Sequence, residues 1–192
     1  VTRMMRGLAV LARSGLWFGG ALILLSAVLI GIDVFLRKVF VVSIGGADEL
    51  AGYALAIGTV WALGATLLDR GHIRIDSLYM LLPAPIRIVL DFVGLILLVG
   101  FFALVFWHGL GVFEQSWVSH SRSQSALETP LVIPQAIWLI GLAMFLLVGA
   151  ALFVAALGRV VRGDRAGVAG LIGTRSAAED VAEEVRAAER RR

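Results

Sequence analysis

Apolar residues fall in four long blocks along this chain, Gly15–Leu36, Leu50–Leu68, Ile86–Phe113 and Pro134–Gly158, separated by short polar stretches rich in Arg. A hydrocarbon core about 30 Å thick is crossed by roughly 20 apolar residues of helix, so each block is long enough, or nearly so, to span a bilayer. The second and fourth blocks contain no Asp, Glu, Lys, Arg or His. The pattern predicts an all-α integral membrane protein with four transmembrane helices. It divides into an N-terminal segment (1–14), a four-helix membrane domain (15–158) and a charged tail (159–192). The first block is longer than a secretory h-region and lacks a clear small-residue cleavage site after it, so a retained helix is expected.

Charge then orients the frame. The chain has 17 Lys and Arg, and only Arg37, Lys38 and Arg122 fall in the first and third loops. The others lie in the two termini and the second loop or at its edge. The positive-inside rule therefore predicts both termini in the cytoplasm and the first and third loops outside. The pI of about 10.2 is explained by this placement without a nucleic-acid partner. The absence of cysteine excludes disulfides, thiolate metal sites and cysteine nucleophiles.

Asp33 and Arg37 are four residues apart and share a helix face, so they can pair. The pair reads either as a simple interfacial ion pair or as a docking contact for another chain. Gly45 and Gly46 mark a turn. Asp48 and Glu49 open the second helix, where the helix dipole favours negative charge. That helix carries Ala54, Gly58, Ala62 and Thr66 at four-residue spacing, a small stripe that permits close helix packing. The facing helix could belong to this chain or to a partner. The second loop alternates charged and apolar residues from Asp69 through His72 and Arg74 to Asp76. A short apolar run then stops at Pro83 and Pro85, too short to span, and suits an interfacial segment against the inner-leaflet lipids. His72 reads as a solvated loop histidine.

Trp107 and Trp117 fit an outer aromatic belt. The loop Ser119–Ser125 reads as polar and flexible, with Pro130 and Pro134 stiffening re-entry into the membrane. In the tail, Arg159, Arg162 and Arg165 can meet anionic headgroups. The stretch 163–173, with Gly at both ends, reads as a loose linker. Ser176 and Glu179 match a capping box ahead of a frayed helical run.

Chemistry is sparse. No Gly-x-Ser-x-Gly, His-Glu-x-x-His or phosphate-loop motif is present, and only His108 lies within a span. No enzyme activity, cofactor or metal is expected. A proton relay needs intramembrane carboxylates. Asp33 and Asp91 are the candidates, and the topology places them toward opposite faces.

Four stretches in order resemble a known family. They are Asp33–Phe40 (DVFLRKVF), Gly46–Tyr53 (GADELAGY), Gly71–Asp76 (GHIRID) with Leu82 and Pro83, and Thr129–Gln135 (TPLVIPQ) leading to Trp138. The chain resembles the small permease subunit of the tripartite ATP-independent periplasmic (TRAP) transporters, the DctQ-like family, over roughly residues 15–160. The resemblance implies a three-part, sodium-driven system for organic acids in a bacterial inner membrane. A periplasmic substrate-binding protein captures the solute, a large permease subunit moves it, and the small subunit holds the large one and helps form the docking surface. Arg37 and Glu49 would be the characteristic outer charges, with Arg37 expected to bridge the first two helices. His72, Arg74 and Asp76 would mark the inner loop. A self-sufficient proton-coupled exporter and an unrelated four-helix membrane scaffold are the alternatives.

Overall fold

The computed structural model describes residues 2–71, 79, 82–173, 185 and 188–189. Five helices run through them: α1 (Thr2–Phe40), α2 (Ala47–Leu68), α3 (Ala84–Ser119), α4 (Val132–Val161) and α5 (Arg165–Ile172). The first four are each long and apolar enough to cross a membrane. At 1.5 Å per residue α2 is about 33 Å long, close to the hydrocarbon thickness, whereas α1 and α3 reach about 59 Å and 54 Å. Both must tilt or project beyond the lipid. The observed helices outrun the apolar blocks because hydropathy marks the bilayer, not the end of hydrogen bonding. Pro85 sits in the first turn of α3, where a missing N–H costs little.

Contacts fix the direction of each helix. Gly15 and Gly19 of α1 meet Trp61 and Gly58 of α2, so these two helices run antiparallel. Gly141 of α4 lies on Trp61 and Gly149 approaches Leu67, so α2 and α4 run parallel. Phe102 and Phe92 of α3 stack edge-on against Phe145 (4.8 Å) and Phe153 (5.7 Å) of α4, which makes that pair antiparallel. The chain thus passes up, down, up, down, with α4 between α2 and α3. One end gathers the α1–α2 turn and the α3–α4 loop, the hairpin end. The other gathers the start of α1, the α2–α3 connection and α5, the tail end.

Half of the most apolar stretch of α4 is buried, against 11% for those of α1 and α3. The core is therefore the face of α4 that carries Phe145, Val148, Leu152 and Ala156, filled in by Ala12, Ala65, Leu67 and Leu95. At the tail end it is closed by Val168 and Ile172 of α5. This corrects the expectation of a loose linker over 163–173. Asp164 caps α5 by accepting from the Gly167 N–H at 2.8 Å, and the four-residue spacing of Val168 and Ile172 puts both on the face that packs inward. Arg70 donates to the Ala169 carbonyl (3.3 Å) and Arg159 to that of Gly167, tying α5 beneath α2 and α4.

Lipid supplies no hydrophobic force between helices, so close packing must hold them. A Cβ on Gly58 would lie 2.8 Å from the Gly19 carbonyl oxygen and from Ile23 of α1. The small stripe of α2 is thus engaged within the chain at Gly58, while Ala54, Ala62 and Thr66 are half-buried beside it. Trp61 was not singled out by the sequence pattern, yet it joins three helices. Its indole N–H donates to the Ile137 carbonyl at 3.0 Å, and its ring meets Phe18 edge-on at 5.0 Å.

This packing is directly testable. Gly58→Ala forces a backbone shift at the α1–α2 crossing and should destabilise by about 1–3 kcal/mol, the usual range for overpacking. Gly52→Ala, on an open face of the same helix with nothing within 4 Å, should be neutral or slightly stabilising because Ala is the better helix former. Thermal midpoints in one detergent read both. Equal midpoints for the two variants would count against the close-packed seam.

Candidate functional site

The polar residues of the hairpin end form two linked corners. The first is built on Asp33, which is 1% exposed despite lying about two turns from the end of α1. Its carboxylate accepts from the Ile44 N–H at 2.6 Å and the Ser43 hydroxyl at 3.0 Å. It also takes an ion pair from Arg37, one helical turn on. The expected Asp33–Arg37 pair is present, but it is only one part of the carboxylate's work. Asp33 bonds into the segment that leads to α2, and so closes the α1–α2 turn.

Arg37 does not bridge the two helices as expected. Its side chain is 53% exposed, and its ion pair is with Asp33 on its own helix. The reason is local: at i,i+4 spacing the guanidinium finds Asp33 beside it, while Glu49 is held elsewhere. Glu49 accepts from the Tyr53 hydroxyl at 2.7 Å and from the Ser125 hydroxyl of the α3–α4 loop. This acidic residue therefore does more than complement the start of α2. It fastens a loop 76 residues away. Tyr53 could have been found from its four-residue spacing to Glu49. Ser125 could not, because only the tertiary fold brings it there.

That loop is also more ordered than a polar, serine-rich stretch suggests. Arg122 and Pro130 form an antiparallel bridge, the Ser123 N–H donates to the Thr129 carbonyl (2.9 Å), and the Leu131 N–H donates to that of Ser121 (3.1 Å). Ser125 joins the hydroxyl of Ser123 and accepts from the Leu127 N–H. Leu127 then lies against Gly46, which has φ +88° and no room for a Cβ. Glycine is required there twice over, by the left-handed backbone and by the contact. The two hairpin-end loops thereby lock onto one another. Around this lock Arg37, Lys38 and Asp48 remain exposed.

At the tail end, Asp91 is 1% exposed and accepts from the Tyr79 hydroxyl at 2.8 Å. Asp33 and Asp91 occupy opposite ends of the fold, as the sequence suggested. His72, Arg74 and Asp76, the short interfacial run before Leu82 apart from Tyr79, and the capping box at Ser176 lie outside the described residues. Among the described residues, no group of three or more His, Asp or Glu could hold a metal ion.

One strained residue completes the first corner. Val41, which follows α1, has φ 58°, a left-handed conformation that costs a side-chain-bearing residue roughly 1–2 kcal/mol. The bonds from Asp33 to Ser43 and Ile44 hold the chain in that turn. Val41→Gly should therefore raise the melting temperature, and Asp33→Ala should lower it by leaving the Ile44 N–H without its acceptor. Thermal unfolding of both variants in detergent reads the signs. A loss of stability in Val41→Gly would show that its side chain matters more than its backbone.

Comparison with known proteins matches one region of this fold to an established family. The model of the family described as "Tripartite ATP-independent periplasmic transporters, DctQ component" matches residues 26–159, from within α1 to the end of α4. The match contains both hairpin-end corners and Asp91, and stops before α5. No curated protein and no solved structure matches the chain significantly. With the family model covering most of the four-helix frame, this multi-pass membrane protein belongs to the DctQ component family of the tripartite ATP-independent periplasmic transporters.

Proposed function

We propose that this chain is the small membrane subunit of a sodium-driven, binding-protein-dependent uptake transporter for organic acids, such as a dicarboxylate, in a bacterial inner membrane. Its role is to hold the large permease subunit and to contribute to the periplasmic surface on which the substrate-binding protein docks. In this reading the tail end is cytoplasmic and the hairpin end periplasmic, in line with the Arg distribution. His72, Arg74 and Asp76 would then face the cytoplasm as candidate contacts for the large subunit.

The observation that carries the reading is the fate of the two buried carboxylates. A carrier needs intramembrane ionisable groups free to bind and release an ion or proton. Here Asp33 is taken up in closing the α1–α2 turn, and Asp91 is bonded by Tyr79. Both serve the chain's own fold. The outer helices α1 and α3 meanwhile leave broad apolar faces uncovered, with Trp17, Leu24 and Leu97 each at least two-thirds exposed. Such faces suit helix packing by a larger membrane subunit. The interlocked hairpin loops, with Arg37, Lys38 and Asp48 exposed around them, would give the docking surface a fixed shape and charge.

Topology is checked by single cysteines at Ser121 and Ser176, since the chain has no native thiol. An impermeant maleimide should label the first and not the second in intact cells. Labelling of Ser176 would reverse the orientation.

The functional test is reconstitution. Liposomes holding this chain alone should show no sodium-driven uptake. The full set of large subunit, binding protein and this chain should accumulate substrate, and omitting this chain should abolish uptake. Arg37→Ala should lower uptake while leaving the yield of folded protein near wild type, because the residue is half-exposed. Accumulation by the lone subunit, or undiminished uptake without it, would overturn the assignment.

A further inference from the structure

The tail end holds a cavity of about 230 Å³ whose walls include Tyr79, Arg87, Ile88, Asp91, Arg165 and Ala169. It lies between the first turns of α3 and the docked α5. Of the described arginines at this end, Arg70, Arg87, Arg159 and Arg165 belong to α5 or to the segments around it, and they are not equivalent. Arg70 and Arg159 bond to carbonyl oxygens of α5. Arg87 and Arg165 have no ion-pair partner among the described residues, where the Arg37–Asp33 pair at the opposite end is the ion pair formed. Arg87 is half-buried and its Nε has no hydrogen-bond partner. Its guanidinium lies 6.0 Å from the centroid of the Tyr79 ring, which positions it without neutralising it. Among the described residues the remaining charge on the wall is Asp91, bonded to the Tyr79 hydroxyl.

Among the described residues the wall carries two arginines and one carboxylate, and the buried Arg87 N–H without an acceptor favours an oxyanion as partner. The cavity is smaller than the roughly 300–1,000 Å³ of a drug-sized pocket, so it suits a headgroup rather than a whole lipid. The surface next to it is apolar. Ile86, Val89, Leu90 and Val93, on the same part of α3, are 43–61% exposed. A ligand with an anionic head and apolar tails matches both surfaces, whereas a free anion uses only the first.

We propose that this cavity is a binding site for an anionic phospholipid, with the phosphate held between Arg87 and Arg165 and the acyl chains laid along the start of α3. The site depends on α5, which carries Arg165 to the cavity. α5 lies beyond the part of the chain matched by the family model. The proposal does not rest on the transport reading, since it concerns the isolated chain and its lipid. Bound lipid would join α3 to α5 at the membrane surface, where anionic headgroups attract Arg.

The test uses the full chain purified in a neutral detergent. Phosphatidylglycerol, phosphatidylcholine of the same acyl composition and inorganic phosphate are titrated separately. Native mass spectrometry reads the adducts and thermal unfolding reads the midpoint. Phosphatidylglycerol should be retained at least several-fold better than phosphatidylcholine and should raise the midpoint, while millimolar phosphate should do neither. Arg165→Gln, at an exposed residue, should reduce the preference several-fold without altering the midpoint in detergent alone. Arg87→Gln should reduce it further. Arg122→Gln, at the hairpin end, should leave it unchanged.

Equal retention of the two lipids would overturn the proposal. So would full stabilisation by phosphate, which would make this a free-anion site. An equal loss in Arg122→Gln would show that net charge alone governs lipid retention, and would overturn it as well.

Discussion

The close approach of backbones at glycine is the constraint on which this fold depends. Within a bilayer, apolar side chains gain little by leaving lipid for one another, so association relies on dispersion contacts and those require proximity. Gly19 and Gly58 bring α1 onto α2 so tightly that neither has room for a Cβ. Gly141 admits the Trp61 ring and Gly149 admits Val99, which seats α4 against α2 and α3. Each gap is filled from a neighbouring helix, so the glycines set helix order as well as spacing. Trp61 adds direction to this packing, because its N–H finds an acceptor on α4 and fixes the two parallel helices in register.

The polar contacts do a different task. They decide how the ends of the helices are joined, where the chain leaves the hydrocarbon and backbone groups need partners. Asp33 reaches forward from α1 to the segment entering α2, and Glu49 reaches across to the α3–α4 loop. Leu127 over Gly46 then shuts the two loops together. The result is a hairpin end whose shape is set by a few part-buried interactions. Arg37, Lys38, Asp48, Arg122 and Glu128 remain exposed at this end.

The tail end is organised by arginine in another way. α5 is short, and isolated helices of that length are marginal in water. It persists because Val168 and Ile172 close the core and because Arg70 and Arg159 satisfy its carbonyls. Docking α5 also brings Arg165 to the cavity that Arg87 lines. One short segment thus closes the core and lines a recess that carries Arg87 and Arg165.

The sequence alone determined the number of spans, their helical character and the family. Those follow from local quantities: apolar length measured against bilayer thickness, and short motifs in a fixed order. The Asp33–Arg37 pair was legible too, since four-residue spacing on a helix is also local. Helix ends were not, because hydropathy falls off at the lipid boundary while α1 and α3 continue past it on residues that tolerate water. The tertiary structure alone decided which small residues form the seam, that Glu49 answers to Ser125, and that Asp33, not Arg37, ties α1 to the start of α2. It also turned the glycine-rich stretch after Gly163 into a helix docked on the bundle core. Where the deciding partner is distant along the chain, as for Glu49 with Ser125 or Gly19 with Gly58, a one-dimensional pattern carries no information about which surfaces will meet.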